Sequence, residues 1–112
     1  MKLVTIMVKP FRVDALKAAL AAHGVRGLTV IETSGHGRQG GHIEVYRGAE
    51  YRVELIPKLK VEVLVDDEDL AEVLEVITAS VRTGKTGDGK VWVSPVDSVL
   101  RIRTGERDAD AL

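Results

Sequence analysis

The hydrophobic positions of this chain switch between strand-like and helix-like spacing, which predicts strands separated by helices. Lys2 to Val8 is a β-rich run, closed by Lys9-Pro10. Residues 12–22 then carry apolar side chains at helical spacing, and Gly24 stands where a C-terminal cap is expected. Leu28 to Thr33, rich in threonine, valine and isoleucine, predicts a second strand.

A third strand and a second helix follow in the second half of the chain. Leu59 to Val65 alternates along its length in the manner of a strand buried on one face. Apolar side chains from Leu70 to Val81 recur at helical spacing, with Asp66 or Asp67 as the expected cap and Gly84 as the end. The last two predicted strands are Val91–Val96 and Val99–Arg103, the second of them short or irregularly paired.

The order of these elements predicts an α+β fold. Strand–helix–strand occurs twice, at 2–33 and 59–96, and two such units interlocked give a ferredoxin-like βαββαβ sandwich. Residues 1–112 are expected to form a single domain. Two helices cover one sheet face, so Leu3, Met7 and Leu64 on the other face favour self-association. The alternative is that they are scattered surface residues.

Composition excludes several classes of function. The formal charge is −1, from 16 basic and 17 acidic side chains, which argues against a nucleic-acid partner. Cysteine is absent, so disulfides and thiolate metal sites are excluded, and the N-terminus resembles no signal peptide; we expect a cytoplasmic protein. His23, His36 and His42 lack metal-site spacing, and no catalytic triad or carboxylate pair stands out.

Residues 83–90, Thr-Gly-Lys-Thr-Gly-Asp-Gly-Lys, carry the clearest chemical signal. Glycines leave backbone amides uncovered, so successive N–H groups can form a nest for an anion, to which Lys85 and Lys90 add charge. The segment is not a P-loop, because Val91 stands where Ser or Thr must hold the metal and because a strand follows it. We expect a phosphate-binding loop of another architecture. The alternative is a flexible connection.

Two arginines near the end of the chain strengthen the phosphate interpretation. Arg101 and Arg103 are two residues apart in a predicted strand, which would place both guanidinium groups on one sheet face. Like charges side by side repel unless an anion lies between them, and arginine is suited to bidentate phosphate contacts. The alternative is a pair of solvated edge arginines.

The segment from Ser34 to Glu54 shows no hydrophobic period and contains five glycines. Loops of this length without secondary structure are usually functional or disordered. Two of the four aromatic residues lie here, and we expect Tyr46 to pack against the base of the loop and Tyr51 to be exposed. An exposed tyrosine hydroxyl is available to a partner or a modifying enzyme.

Two long motifs resemble signatures of the PII nitrogen-regulatory signal proteins. They are Tyr46-Arg47-Gly48-Ala49-Glu50-Tyr51 and the segment from Thr83 through Gly87-Asp88-Gly89-Lys90 to Val93. The resemblance spans the whole chain, and the tail from Thr104 looks most like actinobacterial-type members of the GlnK kind. It implies a homotrimer of ferredoxin-like subunits with a long flexible loop between the second and third strands.

The resemblance also implies a non-catalytic role as a sensor of ATP or ADP, bound in clefts between subunits. The residues at matching nucleotide-binding positions are Met7, Thr29, Gly35, Gly37, Arg38, Glu62, Leu64, Gly87, Asp88, Gly89, Lys90, Arg101 and Arg103. With MgATP, family members bind 2-oxoglutarate, for which Gln39, Gly41 and Lys58 match the contacts. Gln39 also matches the side chain that helps to hold Mg²⁺.

The implied output is the long loop, residues 36–54. Arg47 matches the residue that enters the pore of an ammonium transporter, which would bring the protein reversibly to the inner face of the membrane. Tyr51 matches the site that a nucleotidylyltransferase modifies with a uridylyl or adenylyl group. Gly40, Ile43, Leu64 and Thr86 depart from the usual pattern, which puts loop conformations and ligand affinities in question. The alternatives are a PII-like paralogue with another effector and a weak ATP hydrolase.

Overall fold

A computed structural model describes residues 1–37, 42–53 and 55–112 of the chain. In these ranges the α-helices are α1 (Val13–Ala22) and α2 (Leu70–Val81). Short 3₁₀ turns lie at Pro10–Arg12, Asp67–Asp69 and Asp108–Ala111. The strands are β1 (Lys2–Val8), β2 (Thr29–Gly35), β3 (His42–Tyr46), β4 (Ala49–Val53), β5 (Ile56–Val65) and β6 (Lys90–Pro95).

Four of these strands form one antiparallel sheet in the order β2-β5-β1-β6. Since α1 connects β1 to β2 and α2 connects β5 to β6, the sheet and its helices have βαββαβ connectivity. The strand order, with the first and third strands of the sheet at its centre, is that of a ferredoxin-like fold. The predicted α+β fold is therefore confirmed.

The hydrophobic core lies between this sheet and the two helices. Alternate residues of the central strands, such as Ile6 in β1 and Val61 in β5, are fully buried. Leu16 and Leu20 of α1, four residues apart, are buried against the same core as Ile77 of α2. The helical spacing in the sequence thus identified the faces that pack.

The end of α1 agrees with the sequence prediction, whereas the start of α2 does not. α1 ends as predicted, because the N–H groups of Gly24 and Val25 donate to the carbonyls of Ala21 and Leu20 at 3.1 and 3.0 Å, a Schellman motif. Neither Asp66 nor Asp67 caps α2, which begins after the 3₁₀ turn with no side-chain cap. The Asp67 carboxylate instead lies 2.9 Å from the N-terminal amine of Met1.

In the described ranges, both helices pack on one face of the sheet and neither covers the other face. Leu3 and Met7 of β1 are half-buried there, and Leu64 of β5, directly opposite Leu3, is 40% exposed. Trp92 of β6 lies on the same face and is also exposed. The apolar side chains predicted for this face therefore lie on it, among polar ones such as Thr5, Lys60 and Glu62.

The segment predicted to lack regular structure contains a β-hairpin. β3 and β4 pair in an antiparallel two-stranded sheet, and β2 extends to Gly35, beyond the predicted end at Thr33. Arg47 and Gly48 connect the strands with φ values of 51° and 79°, the combination that matches the twist of a two-residue hairpin. Ile43 and Val45 are both exposed, so the described side chains of the hairpin show no buried face that would impose a hydrophobic period.

The predicted strand at Val99–Arg103 was wrong. Leu100 forms only an isolated bridge with Arg107, and the chain turns between them, with the Gly105 N–H donating to the Arg101 carbonyl at 2.8 Å. Residues 99–107 are called the C-terminal turn below. Since residues 101–103 are not a strand, the period-two argument that placed Arg101 and Arg103 on one sheet face does not hold.

Candidate functional site

The glycine loop, residues 83–90, connects α2 to β6 by a path that requires glycine. Gly87 and Gly89 have φ values of 95° and 107°. A Cβ atom on Gly89 would lie 1.7 Å from the Met7 carbonyl oxygen and 2.7 Å from the Met7 carbonyl carbon. The loop backbone therefore packs directly against β1, with no space for a side chain between them.

The carboxylate of Asp88 closes the beginning of the glycine loop. Its Oδ2 accepts hydrogen bonds from the N–H groups of Thr83 and Gly84, both at 2.9 Å. Its Oδ1 accepts one from the Thr83 hydroxyl and lies 3.4 Å from the Lys9 Nζ. The bonds from the Thr83 hydroxyl and amide hold the pKa of Asp88 well below its ordinary value. This carboxylate is thus committed to the loop itself.

The amide groups of the glycine loop fall into two sets. Four donate hydrogen bonds inside the loop, those of Thr83, Gly84, Lys85 and Asp88. Those of residues 86, 87 and 89 meet no acceptor elsewhere in the described ranges. Backbone N–H groups without a protein acceptor can donate to a bound anion.

Lys58 of β5 is a buried cation beside the glycine loop. Its side chain is only 8% exposed, and its Nζ donates to the Gly87 carbonyl at 2.8 Å. Burial, followed by the charge of Lys9, lowers the pKa of Lys58, and Asp88 opposes this. One carbonyl oxygen does not neutralise a buried ammonium group, so an anionic ligand here would be favoured.

These groups line one cavity, which we call the loop cleft. It has a volume of about 710 Å³. The predicted site residues in its wall are Met7, Gly35, Gly37, Lys58, Gly87, Asp88, Gly89 and Lys90. Lys85 and Thr86 also line it, as does Trp92, which the sequence analysis did not assign to the site. The structure therefore brings together the glycine loop, the end of β2 and the predicted effector-binding lysine.

Four further predicted residues line a second cavity, the edge cleft, of about 680 Å³. Thr29, Glu62, Leu64 and Arg101 are in its wall, together with Leu3. Thr29 and Glu62 are directly opposite on β2 and β5. The predicted site is thus divided between two clefts of one protomer. Met7 was predicted to bind the nucleotide together with Thr29, Glu62 and Leu64, but it lies in the loop cleft.

The two predicted phosphate-binding arginines are not placed as a pair. Arg101 donates to the Glu106 carboxylate at 3.1 Å and to the Leu112 carbonyl at 3.0 Å. Arg103 lies exposed in the C-terminal turn. An anion that binds Arg101 would compete with Glu106, which the sequence argument did not consider.

The tip of the β3–β4 hairpin presents two tyrosines and an arginine. Tyr46 does not pack against the base of the segment as predicted; it is 60% exposed, with the Arg47 guanidinium 5.3 Å from its ring centroid. Tyr51 is exposed, as predicted. Register pairs Tyr46 with Ala49 and Tyr51 with Glu44, so the two tyrosines lie on one face of the hairpin.

Some predicted site residues lie outside the described residues, namely Arg38, Gln39 and Gly41. In the described parts of the chain, no three His, Asp or Glu side chains are grouped in a way that could hold a metal ion. No helix in those parts is long and apolar enough to cross a membrane. The sequence analysis did not assign Lys9 or the side chain of Thr83 to the site. Thr83 could have been found, because a hydroxyl five residues before a carboxylate in a glycine-rich loop is able to bond to that carboxylate, as it does here.

Comparison with known proteins places this arrangement in context. A family model described as nitrogen regulatory protein P-II matches residues 1–106. The chain is 50% identical over 112 residues to nitrogen regulatory protein GlnK of Escherichia coli (strain K12) and 51% identical to nitrogen regulatory protein P-II of Rhizobium etli. It is 48% identical to nitrogen regulatory protein P-II of Azospirillum brasilense. Each similarity covers 100% of this chain and 100% of the relative.

Proposed function

Because this chain belongs to the nitrogen regulatory protein P-II family, we propose that it senses nitrogen, carbon and energy status through bound ligands. It is a regulatory protein rather than an enzyme, as the sequence analysis predicted. In the proposal it binds ATP or ADP and, with MgATP, 2-oxoglutarate, and residues 36–54 transmit the result to partner proteins.

The observation that carries the nucleotide proposal is the glycine loop. Its amides at residues 86, 87 and 89 have no acceptor in the described ranges, and Lys85, Lys90 and Lys58 line the same cleft. Backbone donors held in place before a ligand arrives lose little entropy on binding it. Polyphosphate is the chemical group that uses several amides and several lysines at once.

The division into two clefts supports a nucleotide site between subunits. Met7 of the loop cleft and Leu3 of the edge cleft are four residues apart on β1, about 13 Å along a strand. In the proposed homotrimer, the loop cleft of one protomer meets the edge cleft of the next, so three nucleotides are bound. Assembly would also cover the apolar face that includes Leu64 and Trp92.

Lys58 supports a keto-acid effector in the loop cleft. Among the described residues the buried Lys58 ammonium donates to the Gly87 carbonyl, and a carboxylate of 2-oxoglutarate would add a charge partner. In the proposal, Gln39 and Gly41 contribute further contacts. Mg²⁺, which takes oxygen ligands, would link the ATP phosphates to the effector. Effector affinity then depends on which nucleotide is bound, and the coupling is reciprocal.

The proposed output is docking of the hairpin onto an ammonium transporter, with reversible membrane association as the consequence. The exposed Arg47 at the hairpin tip supports insertion into a narrow polar pore, and the exposed Tyr51 supports modification by a nucleotidylyltransferase. MgATP with 2-oxoglutarate would withdraw the hairpin, and ADP would allow it to dock.

Calorimetric titration of 2-oxoglutarate tests the central part of this proposal. We expect binding with MgATP, none with ADP, and a strong loss with Lys58→Met or Gln39→Ala. Lys17→Met is the matched control, since Lys17 is an exposed lysine on α1 and remote from both clefts. Binding of 2-oxoglutarate without ATP would contradict the coupling. Failure to bind any adenylate, or a monomeric protein in solution, would contradict the whole proposal.

A further inference from the structure

We propose that Asp88 is a positioning residue, whose carboxylate holds the glycine loop in its anion-binding form and does not contact the ligand. This inference rests on the proposed function, because the ligand is taken to be a nucleotide polyphosphate. It changes the role that the sequence suggested for Asp88, which was a direct phosphate contact.

The Asp88 carboxylate bridges the two ends of the glycine loop, and we call its hydrogen bonds with Thr83 and Gly84 the clasp. Asp88 receives three hydrogen bonds from Thr83 and Gly84, so the beginning and the end of the loop are joined. The Lys9 ammonium, at the end of β1, reaches the same carboxylate from outside the loop. With Gly89 packed on the Met7 carbonyl, the loop is attached to β1 at two adjacent points.

A carboxylate at this position presents an electrostatic problem that only a positioning role resolves. A negative charge beside a phosphate site weakens phosphate binding by Coulomb repulsion. In the proposal, the benefit of the clasp outweighs this repulsion, because the clasp fixes the loop that carries the amides of residues 86, 87 and 89, which have no acceptor in the described ranges. Lys9 also offsets the charge.

Charge repulsion by Asp88 lowers ATP affinity, whereas the clasp raises it. Substitutions of Asp88 can therefore separate these two effects. Asp88→Asn retains an oxygen that can accept the Thr83 and Gly84 amides and removes the charge; we expect ATP affinity equal to or above that of the unsubstituted protein. Asp88→Ala removes the clasp, and we expect ATP affinity to fall by about tenfold or more, equivalent to about 1.4 kcal/mol. If electrostatics alone mattered, Asp88→Ala would bind ATP more tightly.

Thr83 provides a second test that leaves the charge in place. Thr83→Val keeps the shape of the side chain and removes the hydroxyl donor, whereas Thr83→Ser keeps the hydroxyl. We expect lower ATP affinity with Val and near-normal affinity with Ser. The two Thr83 variants still test the proposal if Asp88→Ala fails to fold, because Thr83→Val removes only one hydroxyl at an exposed position.

Two measurements on every variant complete the experiment. Calorimetry gives the dissociation constants for ATP and ADP well below the thermal midpoint, where a general loss of stability has no effect on affinity. Hydrogen exchange of residues 83–89 without nucleotide reports the clasp directly, and we expect faster exchange in Asp88→Ala and Thr83→Val than in their conservative partners.

The outcomes separate the two proposals. Unchanged exchange in Asp88→Ala, tighter ATP binding by Asp88→Ala, or an affinity loss in Asp88→Asn as large as that in Asp88→Ala would each overturn the positioning role. If exchange changes as expected but the unsubstituted protein binds no adenylate, the clasp stands as a structural element and the proposed function fails.

Discussion

Substitution of Gly89 by alanine gives the most direct test of the glycine loop. The added Cβ would lie 1.7 Å from the Met7 carbonyl oxygen, whereas carbon and oxygen atoms in contact are about 3.3 Å apart, so one backbone must move by about 1.6 Å. β1 cannot move freely, because it pairs with β5 and β6 on both sides. The loop must therefore leave its position.

The cost of this displacement has two parts. A φ of 107° strains any residue with a Cβ by about 1–2 kcal/mol. Displacing the loop also breaks hydrogen bonds such as that from Lys58 to Gly87, each worth about 0.5–1.5 kcal/mol. A total near 3 kcal/mol against the closed loop corresponds to a loss of roughly a hundredfold in ATP affinity.

Gly84→Ala is the matched control, because it also places a Cβ at a positive φ but without the clash. Gly84 has a φ of 81°, and a Cβ there would meet nothing within 4 Å. Calorimetric ATP titration of both variants, with thermal unfolding in parallel, should show a loss of no more than about thirtyfold for Gly84→Ala, equivalent to about 2 kcal/mol. Equal ATP affinities in the two variants would refute the argument that close approach to β1 shapes the loop.

Three further predictions test the core, the pH response and the hairpin. Ile77→Ala, at a fully buried position, should lower the free energy of unfolding by about 2–5 kcal/mol in urea titrations, and exposed Glu75→Ala should change it by less than about 0.5 kcal/mol. The folded-state pKa of Asp88 is depressed, so its stabilising contribution is complete above about pH 4 and is lost as the pH falls. The urea midpoint should therefore fall less between pH 6 and pH 3 in Asp88→Asn; an equal fall would contradict this. Arg47→Ala should leave the urea midpoint nearly unchanged, since its exposed cation–π contact is worth about 0.5–1 kcal/mol. It should nevertheless abolish co-purification with an ammonium transporter, and retained binding would count against the proposed docking.

Local signals predicted the elements that bury a continuous apolar face. The four-residue spacing of Leu16 and Leu20 and the alternation in β1 and β5 identified the core, because burial on one face imposes the period of the element. Gly24 predicted the end of α1 because the backbone bonds of that cap are local. The family motifs then identified the residues of both clefts, several of which no spacing argument would have joined.

The errors concern segments without a buried face. Ile43 and Val45 of the β3–β4 hairpin are exposed, so the clearest sequence signal for the hairpin was the turn at Arg47-Gly48. The predicted strand at Val99–Arg103 had the composition of a strand, but in the described residues it pairs only through the bridge from Leu100 to Arg107. Aspartate is a common helix cap, but the Asp67 carboxylate forms an ion pair with the Met1 amine and does not cap α2.

The helices, the central strands and the chemical character of the glycine loop were predictable from the amino-acid sequence, because they depend on residues close together along the chain. The surface against which the loop packs, and the bonding partners of its groups, became clear from the folded chain. Lys9 and Asp88, which are 79 positions apart, meet in one ion pair, and Gly89 packs on the carbonyl of Met7. Contacts of this kind depend on the pairing of β1 with β6, which places Met7 opposite Lys90, and the period of side chains along a single element does not encode that pairing.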